Sequence, residues 1–165
     1  MKKLRLTKKA KVGILVGTAS ILLIALIVIL LSIERPKTYD IEKLKPLIIN
    51  EFPTLYLSEM DHIDVLTDFG FEKSEVQEAL FLHSFQLDDN GNDITSEENY
   101  VIIMNTENYE FYRDIFESHI DSNLRYTEED NIYKLYEKAI VKSDKNYVYA
   151  IISKKSKEIE KLINE

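Results

Sequence analysis

Residues Tyr147–Ser153 read YVYAIIS, a run rich in β-branched and aromatic residues. Apolar residues occupy both of its alternating faces, whereas a half-solvated edge strand carries one polar face. The run therefore predicts a central strand of a sheet. Because it follows a tight turn at 144–146, we expect Lys138–Ser143 to pair with it as the other arm of an antiparallel hairpin.

The segment after this strand is predicted to fold back over the sheet. Ser156–Asn164 is an amphipathic helix in which Ile159, Leu162 and Ile163 lie on one side. We expect these three side chains to cover the face that carries Ile151.

Earlier segments supply the rest of the predicted domain. Tyr100–Asn105, YVIIMN, is predicted to be a second apolar strand, and Ala79–Leu87 a third. The element order indicates an α+β domain, with an antiparallel sheet and helices over one face. The other segments with helical spacing are Asp40–Phe52, Leu55–Phe71, Glu107–Leu124 and Asn131–Glu137.

Local signals predict where two of these helices begin and end. Asp40 is a candidate N-cap, since its carboxylate can accept an N–H of the first turn. Pro46 is expected to kink or delay the helix, and Pro53 to end it. Gly70 is a candidate C-cap for Leu55–Phe71.

A second region, Val12–Ile33, contains 22 residues without a charge. About 20 helical residues cross the roughly 30 Å hydrocarbon core, and a helix satisfies its own backbone groups in lipid. We expect a transmembrane helix over 13–33, anchored by residues such as Ile14, Leu23 and Ile33. A cleaved signal peptide is the rival interpretation, although its apolar run is typically about 7–15 residues long.

The basic residues of the chain are concentrated before this apolar run. Six of the 21 precede it, and the first acid is Glu34. The positive-inside rule predicts a cytoplasmic N-terminus, an extracytoplasmic remainder, and the lipid bilayer as a partner. The expected organisation is a basic tail over 1–12, the helix over 13–33, a linker over 34–39 and one domain over 40–165. The six basic residues are Lys2, Lys3, Arg5, Lys8, Lys9 and Lys11.

Composition excludes several kinds of site. The chain has no Cys, which rules out disulfides, thiolate zinc sites, iron–sulfur clusters and a lipidated N-terminal Cys. From Glu34 onward, 15 bases face 29 acids, a net charge of −14. This charge repels phosphate, so no nucleic-acid partner is expected. No Gly-rich phosphate loop or G-x-S-x-G motif occurs, and neither a cofactor nor a catalytic residue is predicted.

The order of several short motifs resembles a known family. Over about residues 57–162, the chain resembles an uncharacterised bacterial family of small lipoproteins and single-pass envelope proteins, domain-of-unknown-function family 4358. Lys145 stands where the family's hairpin usually has Gly. The resemblance implies an envelope location and a compact α+β domain, and it implies no activity. The matching motifs are Phe69-Gly70-Phe71-Glu72, Glu75-Val76-Gln77-Glu78, Tyr100–Asn105, Tyr126, Tyr136 and Asn146-Tyr147-Val148.

The polar loop Asp88–Asn99 contains a weak candidate calcium site. It begins DDNGND, and carboxylate and amide oxygens are ligands that Ca²⁺ prefers. The EF-hand template fails, because Gln86 would occupy its first position when Gly91 occupies its sixth. Asn-Gly also makes an ordinary hairpin turn, which favours a solvated loop. The candidate ligands are Asp88, Asn90, Asn92 and Asp93.

Histidine and tyrosine give weaker signals. His62, His83 and His119 form no H-x-x-x-H or H-E-x-x-H pair. A surface position near a helix end is favoured for His62, and packing or half-exposure is favoured over metal binding for His83 and His119. All ten Tyr follow the apolar run, and seven of them crowd the last 60 residues. Packing of helices onto the sheet is the favoured role, and an aromatic patch for a glycan or peptide is the alternative.

These features predict where the protein sits more sharply than what it does. We expect a single-pass anchored envelope protein that serves as a binding or accessory module on the outer membrane face. Its partner would be an envelope protein or a cell-wall component. The alternatives are a small cell-wall hydrolase, and an immunity or inhibitory protein whose acidic face meets a basic partner.

Overall fold

The computed structural model describes residues 37–60, 69–71, 78–95 and 97–165. The basic tail at 1–12, the predicted membrane helix at 13–33 and His62 lie outside the described residues, so the transmembrane helix stays a prediction. Within the described part, no helix has both the length and the apolar character needed to cross a bilayer. The chain from Pro36 to Glu165 forms one folding unit.

Five strands build the sheet: β1 Leu57–Glu59, β2 Ala79–Ser84, β3 Tyr100–Asn105, β4 Ile140–Asp144 and β5 Tyr147–Ile152. All neighbours are antiparallel, in the order β1-β2-β3-β5-β4. β3 is the middle strand and β5 lies beside it, paired with β3 on one side and β4 on the other. The predictions of an interior strand and of its hairpin with the preceding segment are therefore confirmed.

Four α-helices lie in the described part of the chain: α1 Ile41–Glu51, α2 Tyr109–Tyr126, α3 Asp130–Tyr136 and α4 Ser156–Asn164. Asp40 caps α1 as predicted, because its carboxylate accepts the backbone N–H of Lys43 at 3.3 Å. Pro46 lies inside α1, and Pro53 opens a 3₁₀ helix, Pro53–Leu55, just beyond its end. α4 has the predicted bounds, while α2 begins and ends two residues later than predicted.

Helices cover both faces of the sheet, so the expectation of helices over one face is wrong. Tyr149 and Ile151 of β5 face a core formed with α1 and α4, whereas Val148 and Ala150 face a second core formed with α2. None of the four is more than 1% exposed. Successive side chains of a strand point to opposite faces, so a strand that is apolar at every position needs a layer on each side.

The terminal helix packs as predicted. Ile159 is 0% and Ile163 is 4% exposed, and both lie in the core that contains Ile151. Leu162 is partly buried against the same core. Each fully buried side chain of this kind contributes about 1.5–3 kcal/mol relative to an exposed one. The C-terminal helix is therefore an integral layer of the fold.

The segment around β1 differs from its prediction. Helical spacing predicts a helix over Leu55–Phe71, yet Leu57–Glu59 pairs antiparallel with β2. The left-handed backbone of Tyr56, with φ 51° and ψ 38°, ends the 3₁₀ helix and turns the chain into an extended path. Gly70 has φ +69°, which suits the predicted C-cap role.

β2 ends earlier than predicted, at Ser84 instead of Leu87. Beyond Ser84 the chain bends into its own small hairpin. Ile94 donates its N–H to the carbonyl of Gln86 at 2.8 Å, and Leu87 bridges to Asp93. Gly91 has φ +81°, the positive value that the Asn-Gly turn was expected to need. This small hairpin brings polar residues beside the end of the sheet.

Candidate polar binding pocket

Three chain segments meet at one end of the sheet and enclose a cavity of about 210 Å³. They are the 3₁₀ helix with Tyr56, the end of β2 with the small hairpin, and the residues before β3. Ser84, at the end of β2, connects the three segments. It pairs with Leu57, which directly follows Tyr56, and it donates its N–H to the carbonyl of Asn99 at 2.9 Å. The cavity, called the polar pocket below, is lined by Thr54, Leu55, Tyr56, Ser84, Gln86, Thr95, Glu97 and Asn99.

Asn99 supplies the deepest polar group of the pocket. Its side chain is 2% exposed, and its amide nitrogen donates to Ser84 Oγ at 3.0 Å and to the carbonyl of Glu97 at 3.2 Å. A carbonyl accepts hydrogen bonds, so the amide NH₂ must face Glu97 and Oδ1 must point the other way.

Asn99 Oδ1 lacks a hydrogen-bond partner among the described residues. Nearly all buried polar atoms in proteins have a partner, and leaving one unsatisfied costs about 1–3 kcal/mol. This oxygen is therefore a buried acceptor without a partner in the described part of the chain, and it belongs to a residue that lines the pocket.

Ser84 Oγ accepts two hydrogen bonds from Asn99, one from the backbone N–H at 3.1 Å and one from the side chain. A hydroxyl has two acceptor lone pairs and one donor, so the O–H of Ser84 stays available as a donor. Gln86 and Thr95 are tied together, because the N–H of Gln86 donates to Thr95 Oγ1 at 2.9 Å. The lining residues therefore offer donors and acceptors and are hydrogen-bonded to one another.

Tyr56 stands at the pocket in a strained conformation. It is the one non-glycine residue with positive φ among the described residues, and its side chain is 54% exposed. The left-handed conformation costs about 1–2 kcal/mol for a residue with a side chain. The backbone is held there because the Tyr56 carbonyl accepts the N–H of Phe85 at 3.0 Å. The fold thus keeps an aromatic ring at the surface at some cost in stability.

An ion pair forms another part of the pocket wall. Glu97 lines the pocket, and its Oε1 accepts a hydrogen bond from Lys154 Nζ. The Glu97 side chain is 30% exposed and that of Lys154 is 44% exposed. The carboxylate is thus partly neutralised, while its second oxygen has room to accept a further donor.

The predicted calcium ligands bind their own loop instead of converging on the pocket. Asp88 accepts the backbone N–H of Asn90 and of Asn92, both at 2.8 Å, and it also accepts the side-chain amide of Asn92. The bond from the Asn92 side chain, followed by those from the backbone, lowers the pKa of the Asp88 carboxyl. Asp93 accepts the N–H of Thr95 at 2.8 Å, and its pKa is lowered as well. No cluster of three or more His, Asp or Glu suited to a metal occurs among the described residues. Calcium binding by this loop stays a prediction.

Of the histidines in the described part of the chain, His83 and His119 pack, as do most tyrosines, as the favoured interpretation expected. His119 Nε2 lies 3.1 Å from the hydroxyl of Tyr136, and His83 stacks between Phe85 and Tyr100. The four buried tyrosines are Tyr39, Tyr112, Tyr136 and Tyr149.

One group of tyrosines forms a hydrogen-bonded cluster at the end of α4. Tyr149 donates its hydroxyl to Glu160 Oε1 at 3.0 Å, and its ring stacks on that of Tyr147 at 6.0 Å. Burial raises the pKa of Tyr149 to about 12, and burial likewise raises that of Tyr39. Glu160 pairs with Lys142 at 2.5 Å, and this bond lowers the pKa of the carboxyl. These contacts join α4 to β5, so the cluster serves the fold.

Two larger cavities are among those found elsewhere on the described part of the domain. A cavity of about 550 Å³ at the start of α4 includes Lys138, Lys154 and Lys157 in its lining. Another, of about 410 Å³ along α2, is lined by acids that include Asp114, Glu117 and Asp121, next to Arg125 and Tyr126. Both are lined mainly by charged and polar side chains, whereas one residue that lines the polar pocket, Asn99, carries the buried unpartnered acceptor.

Sequence reasoning did not single out the residues of the polar pocket. Glu97 lies in the loop Asp88–Asn99, which the sequence predicts to be solvated, and neither Asn99 nor Tyr56 has a predicted binding role. A polar Asn directly before a fully apolar strand is the one signal that points to this place. The comparisons add no relative, since no family model, no curated protein and no solved structure matches the chain.

Proposed function

We propose that the chain is a single-pass, membrane-anchored binding module whose folded domain lies outside the cytoplasm and binds a small polar ligand in the polar pocket. The uncharged Val12–Ile33 run and the six bases before it support the anchor and its orientation. The likeness to a family of envelope proteins agrees with this location, and family membership is part of the proposal.

The observation that carries the binding role is the unpartnered Oδ1 of Asn99. It is a buried acceptor on a residue that lines a cavity, and a ligand N–H or O–H that reached it would remove the free-energy cost of leaving it unsatisfied. The cavity offers few contacts to a large ligand, since common ligand sites measure about 300–1,000 Å³. We therefore assign it a small group, either free or at the end of a larger molecule.

Binding fits the lining better than glycoside hydrolysis does. Glycosidases use a pair of carboxyl groups about 5–9.5 Å apart. Glu97 is the one carboxylate among the described residues of the lining, and it is paired with Lys154. The remaining groups are neutral hydrogen-bonding side chains and a ring, which suit recognition.

A fragment screen on the full-length chain tests this function. The chain, labelled with ¹⁵N and held in detergent micelles, would be titrated with small neutral, cationic and anionic compounds. We expect at least one class to shift the side-chain amide of Asn99 and the backbone amides of Ser84 and Gln86. Shifts confined to α2, with none at the pocket, would contradict the binding role.

A second candidate function is an inhibitory protein that offers acids to a basic partner. It is favoured by the cavity along α2, where Asp114, Glu117 and Asp121 lie beside the 79% exposed ring of Tyr126. Crosslinking in intact cells from cysteines placed on α2 should then capture one basic protein. Capture that is unchanged after Glu117→Lys with Asp121→Lys would argue against this role.

A further inference from the structure

We propose that the polar pocket binds one neutral sugar ring, with Tyr56 as the stacking surface. This rests on the proposed binding function and names the ligand class of the same site. The reasons lie in the hydrogen-bonding groups of the lining, in the conformation of Tyr56, and in the charge and size of the cavity.

The hydrogen-bonding groups suit hydroxyls better than a single charge. Asn99 Oδ1 needs a donor, Ser84 has a hydroxyl hydrogen to give, and Glu97 keeps a second acceptor oxygen. A sugar hydroxyl donates and accepts at once, so adjacent hydroxyls of one ring can serve all three groups. An ammonium group carries donors alone and would leave the Ser84 hydroxyl without a ligand acceptor.

The exposed ring of Tyr56 supplies the apolar part of the site. The left-handed backbone of Tyr56 costs free energy, and burial of its side chain offsets little of that cost because Tyr56 is 54% exposed. Strain at an exposed position is a recognised mark of a functional residue. The carbon-bound hydrogens of a pyranose ring form an apolar face that packs on an aromatic ring, while its hydroxyls point outward to polar groups.

Charge favours a neutral sugar over an acidic or phosphorylated one. The chain from Glu34 onward carries −14, which disfavours anions. Glu97 is already paired with Lys154, which reduces the electrostatic gain that a ligand cation would find there. A neutral ring can bind beside the ion pair without breaking it.

The size of the cavity matches one ring. About 210 Å³ equals roughly seven water molecules at about 30 Å³ each. That room accommodates a monosaccharide or the terminal residue of a glycan. The rest of a longer glycan would extend out of the cavity into solvent.

The test is an NMR titration of the full-length chain with N-acetylglucosamine. The protein is kept in a polyoxyethylene detergent, because maltoside and glucoside detergents carry sugars. We expect saturable shifts at Tyr56, Gln86 and Asn99 with a millimolar Kd. n-Butylamine, inorganic phosphate and Ca²⁺ are titrated in parallel.

Three outcomes are distinguished. Saturable shifts with N-acetylglucosamine and weaker or no shifts with the other probes support the sugar assignment. Pocket shifts with butylamine, phosphate or Ca²⁺ but not with the sugar overturn this assignment and leave the binding function standing. Absence of pocket shifts with every probe overturns both.

Tyr56→Gly separates recognition from folding. Glycine adopts positive φ without a steric cost, so this variant should unfold at the same temperature or higher. Loss of the ring should weaken N-acetylglucosamine binding by roughly tenfold or more, whereas Tyr56→Phe should bind within about threefold of the unsubstituted chain. Tyr126→Ala, which removes a 79% exposed ring far along the chain, is the matched control and should bind normally. Full affinity in Tyr56→Gly would overturn the stacking role.

Discussion

Replacing Ile151 with Ala tests whether the C-terminal helix α4 covers the face of β5 that carries Ile151. Ile151 is 0% exposed and packs in one core with Ile159 and Ile163 of α4. Burial on this scale makes Ile→Ala cost about 2–5 kcal/mol, from the lost transfer free energy and the cavity left behind. A site enclosed by neighbouring strands and a helix cannot collapse easily, so we expect about 4 kcal/mol.

The assay is urea unfolding followed by far-ultraviolet circular dichroism. A urea slope of about 2 kcal/mol/M, within the range for small domains, converts 4 kcal/mol into a midpoint lower by about 2 M. A domain of this size has about 5–15 kcal/mol of stability in total. Ile151→Asp, which buries an unpaired charge, should therefore leave little or no folded protein.

Ile94→Ala is the matched control. Ile94 is 47% exposed, so the same change there should alter the free energy of unfolding by less than about 0.5 kcal/mol. A loss below about 1 kcal/mol at Ile151 would refute the reasoning, because it would mean that α4 does not cover this face.

Three further predictions concern the domain. Residues 38–165 made alone should be soluble, monomeric and cooperatively folded, because the long apolar run lies outside them; aggregation without a melting transition would disprove this. Tyr149 should leave the free energy of unfolding unchanged below about pH 10 and lower it by about 2–3 kcal/mol as the pH rises toward 12. The reason is that the phenol ionises near pH 10 in the unfolded chain, whereas its pKa in the folded domain is about 12. Urea titrations across this range check it, and Tyr149→Phe should flatten the profile. Asn105→Ala should cost about 2 kcal/mol in urea unfolding, since its side chain accepts the Tyr39 N–H at 2.9 Å and donates to the Tyr39 carbonyl at 2.7 Å; a cost under about 0.5 kcal/mol would argue against this clamp.

The parts of the fold that sequence predicted are those whose signal is local and repeated. YVYAIIS and YVIIMN are apolar at nearly every position, so their burial as strands follows from composition alone. The helix Ser156–Asn164 repeats its apolar residues at helical spacing and was placed without error. Here local preference and tertiary packing agree.

The second covered face and β1 were missed because their signals are weak. The side chains on both faces of β5 are apolar, so each face needs a covering layer. The sequence does not indicate, however, which helix covers which face. β1 has three residues, too few for strand alternation to outweigh a helical count across Leu55–Phe71. Its direction depends on the left-handed backbone of Tyr56, which propensity disfavours.

The polar pocket was beyond sequence reasoning for a different reason. Its groups come from three segments that meet only after β2 and β3 pair, and the key atom is one oxygen of Asn99. An unsatisfied acceptor is a property of packed coordinates, since every Asn looks alike in a sequence. Glu97 lies in a loop that the sequence predicts to be solvated, and its contact with Lys154 spans 57 positions of the chain.

The location of the domain is tested most directly by protease treatment of intact cells that carry the chain with different tags at its two ends. The six basic residues before Val12–Ile33 predict that the protease removes the C-terminal tag and domain and spares the N-terminal tag. Protection of the C-terminal tag until the membrane is broken, together with loss of the N-terminal tag, would contradict the proposed orientation. Release of an untruncated domain into the medium before any protease is added would contradict the anchor itself.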